Sequence, residues 1–217
     1  MDPLQQLGLA MGTAWTSGIN LYATVAALGI AQAAGLVDLP PGLEVLANPA
    51  VITVAVVMYF VEFFADKVPY VDSGWDAVHT FIRVPAGALI AARAMGPTNP
   101  ALEVVAALMG GSVALAAHGT KASMRLAINA SPEPFTNWAA SITEDIVAFA
   151  GIWAAFQHPY LMLVLVLGFL ALAIYLVPKI LRGLRTLFQK LFGSRQQPLT
   201  PSMGGPTDGD PRVSPTR

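Results

Sequence analysis

Charged side chains are concentrated in one stretch of an otherwise apolar chain. Residues 61–89 read VEFFADKVPYVDSGWDAVHTFIRVPAGAL and contain carboxylate, imidazole and guanidinium groups that could bind or relay ions. Asp72, Asp76, His79 and Arg83 follow one another at intervals of 4, 3 and 4 residues, so a helix would place them on one stripe. Because a charge at mid-bilayer costs roughly 3 to 10 kcal/mol, this stripe predicts paired charges or a water-filled cavity.

A second charged stripe precedes the first. Glu62 and Asp66 are spaced as i and i+4, and a short turn folds them toward the Arg83 stripe. Pro85 predicts that the helix carrying Arg83 is bent or broken near its middle. We expect a pocket in which Arg83 neutralises carboxylates or binds an anionic group, and in which His79 relays a proton. The alternative for Asp66, Lys67 and Asp72 is a polar loop at the headgroup level.

Two further segments supply polar groups. Asn20 follows Ser17 and Gly18 and could cap a half-helix, although Gly18 could equally serve close helix packing. Glu144 and Asp145 lie in WAASITEDIVAFAG, after the stretch NASPEPFTN at 129–137, which predicts an ordered turn or a re-entrant break. The predicted ion or substrate pocket comprises Asn20, Glu62, Asp66, Asp76, His79, Arg83, Glu144 and Asp145.

Several other chemistries are disfavoured. Arg83 extends the Asp72-Asp76-His79 stripe and would repel a metal ion, so we predict no metal site and no cofactor. The chain has no cysteine, no G-x-S-x-G, no H-E-x-x-H and no P-loop, which leaves an intramembrane enzyme with the least support. A formal net charge of −1 predicts no nucleic-acid partner.

The composition is that of a membrane protein. Hydrophobic residues make up 55% of the chain and charged residues 12%, against roughly a quarter charged in soluble domains. Residues 160–177, YLMLVLVLGFLALAIYLV, are 18 residues without a charge, which is about the minimum for a spanning helix.

Proline marks a repeated helix start. Asn48-Pro49, Asn99-Pro100 and His158-Pro159 each open an apolar helix, and these helices are predicted to end at Asp66-Lys67, Thr120-Lys121 and Pro178-Lys179. Shorter segments beginning at Ser17, Ser73 and Thr136 alternate with them. The pattern predicts an all-α membrane protein with about six transmembrane segments, some broken or re-entrant, built from tandem helix-pair repeats.

The chain divides into a polytopic membrane domain at 1–179, a basic amphipathic helix at 180–192 and a disordered cytoplasmic tail at 193–217. The basic helix would contact anionic lipid headgroups through Arg182, Arg185 and Lys190, or simply continue the last span. Lys67, Lys121, Arg125 and the basic residues after 178 predict a multi-pass membrane protein with both termini cytoplasmic. A homo-oligomer is possible.

The stretches SGINLYATV, VEFFADKVPYVDSGWDAVHTFIRVPAGAL and HGTKASMRLAINASPEPFTNW resemble the bacterial integral-membrane family catalogued as domain of unknown function 4126. The resemblance covers about residues 8–180. It implies a multi-pass protein of a bacterial inner (cytoplasmic) membrane, but it carries no established activity and no catalytic or binding residue to this chain.

Two functions remain open on the residues alone. The first is a transporter or channel that moves a small ion or solute, or protons coupled to one. The second is a non-transporting scaffold or accessory subunit in which buried ion pairs fix helix register. A transporter requires a water-accessible cavity that reaches the charged stripe, whereas a scaffold would keep the same groups fully paired and dry.

Overall fold

The computed structural model describes residues 2–96, 100–130 and 134–192, and the regular elements in these ranges are all helical. In chain order they are α1 (Pro3–Ile19), α2 (Leu21–Ala33), a 3-10 helix (Pro41–Ala47), α3 (Pro49–Ala65), α4 (Val71–Ala94), α5 (Pro100–Asn129), α6 (Pro134–Gln157) and α7 (Pro159–Phe192). The tail predicted at 193–217 lies outside the described residues.

Prolines begin three of the helices as predicted. Pro49, Pro100 and Pro159 are the first residues of α3, α5 and α7, where the missing N–H has no helical partner to lose. Asn48 caps α3 by accepting a hydrogen bond from the Ala50 N–H. Asp66 follows α3 as its C-cap, which confirms that predicted helix end.

Two of the predicted ends are wrong. α5 continues beyond Lys121 to Asn129, because Lys121 and Arg125 turn inward and pair with carboxylates. α7 runs through Pro178 to Phe192, so the basic stretch at 180–192 continues the last apolar helix without a break. α4 likewise passes through Pro85 as one helix and is not broken there.

α1 and α2 are separate helices that meet at Asn20. Asn20 has an extended backbone, with φ −145° and ψ 100°, and its side chain accepts a hydrogen bond from the Ala23 N–H to cap α2. Gly8 in α1 packs against Pro159, where α7 begins. Gly29 in α2 packs against Leu46 of the 3-10 helix. The same 3-10 helix meets the end of α4, since Gly42 packs against Arg93.

The outer ends of α1 and α2 therefore lie at one end of the bundle, where α4 ends and α7 begins. Asn20 lies deeper, because neighbouring Gly18 packs against Ala114 and Ala117 in the middle of α5.

Asp2 accepts a hydrogen bond from the Tyr160 hydroxyl in the first turn of α7. The 34 residues of α7 extend about 50 Å at 1.5 Å per residue. The two ends of the described chain thus lie at opposite ends of α7.

Within the described residues, three helices are long and apolar enough to cross a membrane: Pro100–Asn129, Phe135–Gln157 and Pro159–Gly183. The 3-10 helix and α3 form a further candidate, bent by 69° between them. α1 has 17 residues and α4 carries a stripe of charge, so neither counts as a span by length and composition. The chain has apolar helices consistent with a membrane protein, while six spans and a threefold repeat stay predictions.

Candidate functional site

The charged side chains of α3, α4, α5 and α6 converge in one buried cluster. Its carboxylates are Glu62, Asp66, Asp72, Asp76 and Glu144, and its cations are Arg83, Lys121 and Arg125. Seven of these eight side chains are at most 4% exposed, and the Glu144 side chain is 17% exposed. We call this set the charge cluster.

Arg83 connects α4 to α3 and to the break between α1 and α2. Its Nη2 donates to Glu62 Oε1 at 2.5 Å, and its Nη1 lies 3.5 Å from Asp76 Oδ1. The same Nη1 donates to the carbonyl oxygens of Gly18 and Ile19, at 3.3 and 3.0 Å. These carbonyls belong to the last turn of α1, where a helix leaves its final acceptors without intrahelical donors.

Arg125 closes the cluster at the other end. Its Nε and Nη2 form a two-pronged contact with the Glu144 carboxylate, at 3.1 and 2.7 Å. Its Nη1 donates to the backbone oxygen of Asp66 at 2.8 Å and lies 3.7 Å from Asp72 Oδ2. Asn129 completes this end by donating to Asp72 Oδ1 at 2.8 Å.

The cluster carries more negative than positive charge. Five carboxylates face three cationic groups among the described residues, a formal charge of −2. Adding the adjacent acid Asp145 and base Lys67 leaves that balance unchanged. Asp76 shows the imbalance most directly, because it is 1% exposed and neither carboxylate oxygen has a hydrogen-bond partner in the described structure. Unpaired acceptors of this kind are costly in a protein interior.

Lys67 lies in the turn after α3, at the edge of the cluster. Its ammonium donates to the Phe63 carbonyl at 3.0 Å and to Ser141 Oγ at 3.2 Å, and it sits 3.0 Å from the centre of the Phe63 ring. Burial penalises the charged ammonium and lowers the pKa of Lys67 below its ordinary value of 10.5. The expectation of a solvated loop therefore does not describe Lys67, nor Asp66 and Asp72, which are 3% and 0% exposed.

Of the predicted pocket residues, Glu62, Asp66, Asp76, Arg83 and Glu144 lie in the charge cluster. Asn20 and Asp145 lie beside it and share a hydrogen bond, with Asn20 Nδ2 donating to Asp145 Oδ1 at 3.0 Å.

His79 is placed differently. Its Nε2 is 3.0 Å from the Tyr22 hydroxyl, its Nδ1 is 2.8 Å from the Trp75 carbonyl, and its ring stacks on that of Trp75.

Sequence reasoning missed the contribution of α5. The predicted helix end at Thr120-Lys121 places Lys121 at a helix boundary and Arg125 beyond it. None of His118, Lys121, Arg125 and Asn129 is among the predicted pocket residues. Yet these residues follow a helical spacing: His118, Lys121, Arg125 and Asn129 are separated by 3, 4 and 4 residues, so they lie on one face of a helix. That spacing was the available signal, and the end predicted for this helix at Lys121 concealed it.

The basic residues at the end of α7 are described only in part. Arg182 and Arg185 are exposed, as contact with lipid headgroups would require. The side chain of Lys190 lies outside the described residues.

Two cavities among the described residues do not reach the cluster. A cavity of about 490 Å³ between α2, α3 and α4 is lined by apolar side chains, with Tyr22 at its edge. The cluster is largely buried, but its side chains are not all hydrogen-bonded. This incomplete pairing differs from the fully paired network that a scaffold would require. No group of three or more acidic or histidine side chains in the described ranges is arranged to hold a metal ion.

Comparison with known proteins supports the resemblance seen in the sequence. No curated protein and no solved structure matches the chain. The model of the family described as Domain of unknown function (DUF4126) matches residues 7–179, most of the chain, and the protein belongs to that family.

Proposed function

We propose that this protein transports a small cation, a proton or a monovalent metal ion, through the charge cluster. The observation that carries the proposal is the buried formal charge of −2, together with the absence of hydrogen-bond partners for Asp76. An apolar interior does not sustain such an excess unless further positive charge enters, either as protons or as a bound cation. A site that gains and loses a cation in the membrane interior is what a cation transporter requires.

The helix break at Asn20 supports the same proposal. Discontinuous helices in transporters present free carbonyl groups to coupling ions near the bilayer midplane. Here the carbonyl groups of Gly18 and Ile19, at the end of α1, face the cluster and receive Arg83. We propose that α1 and α2 enter and leave the membrane on one side, and that the 3-10 helix with α3, α4, α5, α6 and α7 span it.

This topology places the N-terminus and the C-terminal end of α7 on opposite sides. Lys179, Arg182 and Arg185 favour the cytoplasm for the end of α7, so the N-terminus would face the other side. Reporter fusions at Asp2 and after Phe192 should give opposite signals, with the cytoplasmic signal at Phe192. The same signal from both fusions would exclude the arrangement.

Transport is tested in proteoliposomes. The purified protein should dissipate an imposed gradient of protons, Na⁺ or K⁺ faster than protein-free vesicles, as read by a pH-sensitive dye or an ion-selective indicator. Asp76→Asn should abolish this flux while the protein still folds, because it removes an unpartnered buried charge and conserves side-chain shape. Asp38→Asn makes the same chemical change at an exposed position and should transport like the parent.

A scaffold role remains the second candidate, because seven of the eight side chains in the cluster are buried and ion-paired. Under that function the parent protein gives no flux above empty vesicles for any of the three ions. Asp76→Asn then changes only the thermal stability. The flux of the parent protein therefore decides between the two functions.

A further inference from the structure

The ammonium group of Lys121 is surrounded by oxygen atoms. Five lie within 3.8 Å of Nζ: Asp66 Oδ2 at 2.8 Å, Glu62 Oε1 at 3.3 Å, Ile19 O at 3.4 Å, Glu144 Oε2 at 3.5 Å and Asp76 Oδ1 at 3.8 Å. These oxygens come from α1, α4, α6 and the C-terminal end of α3, whereas Lys121 comes from α5. Four other helices thus contribute oxygens around one point, and we call these five oxygens the oxygen cage.

The cage has the ligand chemistry of a cation site. Carboxylate and backbone carbonyl oxygens are the donors that hard cations prefer. The carbonyl of Ile19 is the last acceptor of α1 before the break at Asn20, so it also carries the negative end of that helix dipole. A cation at the position of Nζ would meet four carboxylates and one carbonyl.

The dimensions of the cage indicate which cation would fit. Mg²⁺ binds oxygen at about 2.0 to 2.1 Å and Ca²⁺ at about 2.3 to 2.6 Å. The nearest cage oxygen is 2.8 Å from Nζ and the others are 3.3 Å or more away. A monovalent cation about the size of an ammonium group, such as K⁺ or NH₄⁺, matches these distances better than a divalent ion does.

We propose that the Lys121 ammonium occupies the seat of a transported monovalent cation, and that the ion and the ammonium exchange in the oxygen cage. This deepens the proposed cation transport and rests on it for its biological meaning, but the seat itself can be tested without any flux. The exchange involves no covalent step. A bound cation releases Lys121 from the cage, and its departure lets the ammonium return.

Lys121→Met removes the ammonium group from the seat and leaves an unbranched side chain that is one atom shorter. The variant is melted in detergent in KCl, NH₄Cl, NaCl and choline chloride at equal ionic strength. Its Tm should rise saturably in KCl or NH₄Cl relative to choline chloride. The rise should be roughly 5 to 10 °C at a cation concentration about 100 times Kd. The parent protein should show a smaller rise at each cation concentration, because its own ammonium competes for the seat.

Two control variants test whether the cation binds in the oxygen cage. Lys121→Met/Asp66→Asn removes the charge of the nearest cage oxygen and should lose most of the potassium or ammonium effect. Lys179→Met makes the same change at an exposed lysine and should respond to salts like the parent.

Equal stabilisation of Lys121→Met in all four salts overturns the proposal, as does an equal cation response in the parent. A variant recovered folded only in KCl or NH₄Cl supports it, and one that folds in none of the salts contradicts it. If Lys121→Met gives no selective salt response, the flux test of the parent protein in proteoliposomes is unaffected, so failure of this inference is distinguishable from failure of the proposed function.

Discussion

The interface between α4 and α5 changes character along its length. In the charged half, residues 72–83 of α4 face residues 118–129 of α5 through Asp72, Asp76 and Arg83 on one side and His118, Lys121 and Arg125 on the other. In the small-residue half, residues 87–94 face residues 106–114 through glycine and alanine. There Gly110 packs against Ala91, and a Cβ at Gly110 would lie 2.9 Å from the Gly87 carbonyl oxygen.

The two halves are stabilised by different interactions. Lipid tails are as apolar as leucine, so close packing of small residues, rather than apolar burial alone, holds helices together in a membrane. That packing is insensitive to pH and salt. The charged half contains an excess of carboxylates and acceptors without donors, so its stability depends on which cations are present. One helix pair therefore combines a fixed contact with a contact that can respond to ions.

The largest effect is expected in the charged half. Arg83→Leu leaves Glu62 buried without its guanidinium partner and should lower the free energy of unfolding by roughly 3 to 5 kcal/mol. Arg83→Lys retains the charge and should be milder. Chemical unfolding in detergent measures both, with Arg93→Leu at the exposed end of the same helix as the control. Adding Glu62→Gln to Arg83→Leu should recover part of the loss, and an unchanged parent-like midpoint for Arg83→Leu would contradict the buried pair.

A moderate effect is expected in the small-residue half. A methyl group at Gly110 would collide with Ala91 and crowd the Gly87 carbonyl, so Gly110→Ala should destabilise by roughly 1 to 3 kcal/mol. Gly119→Ala is the matched control on α5, because its added methyl meets no atom within 4 Å. That change should stabilise by up to about 1 kcal/mol through helix propensity. Equal shifts for the two variants would show that the glycine contact does not limit helix approach.

The sequence predicted the features of the fold that depend on local pattern, and it missed those that depend on tertiary contacts. The starts of α3, α5 and α7 followed from proline, and the Asp72-to-Arg83 stripe followed from helical spacing, because both are local properties of the chain. The break at Asn20 was suggested by Ser17, Gly18 and Asn20 together. Local pattern could not show that α2 returns to the end of the bundle where α1 begins, since contacts with α3 and α7 decide it.

Lys121 and Arg125 show a further limit of prediction from sequence. A basic residue after an apolar run indicates a membrane boundary only when it is solvated. Whether these two side chains are solvated depends on carboxylates contributed by α3, α4 and α6, and that information is tertiary. The cation positions in the charge cluster were therefore only partly predictable, whereas the carboxylates on α3 and α4 were found.

A pH-dependent effect should arise at Lys67, in the turn after α3 and at the edge of the charge cluster. The folded-state pKa of Lys67 is below its ordinary value of 10.5, so the unfolded chain binds more protons in the alkaline range beneath 10.5. The contribution of Lys67 to stability therefore rises as pH increases through that range. Unfolding from pH 8 to 10.5 should show a smaller rise for Lys67→Met than for the parent. Gly110→Ala should leave the slope unchanged, and an identical slope in Lys67→Met would exclude this origin.

The smallest expected quantity is the coupling between the halves. Asp72 and Gly87 are 15 residues apart on α4, about 22 Å along a helix, and Gly110 packs beside Gly87. Asp72→Asn and Gly110→Ala share no partner, so their effects on the free energy of unfolding should add to within about 0.5 kcal/mol. Asp72→Asn and Asn129→Ala share a 2.8 Å hydrogen bond and should deviate from additivity by roughly 0.5 to 3 kcal/mol. Two double-mutant cycles measured in one detergent give both numbers. The Asp72→Asn/Gly110→Ala cycle could instead show coupling as large as the Asp72→Asn/Asn129→Ala cycle. The α4–α5 pair would then behave as a single unit, and the separation into a fixed half and an ion-responsive half would fail.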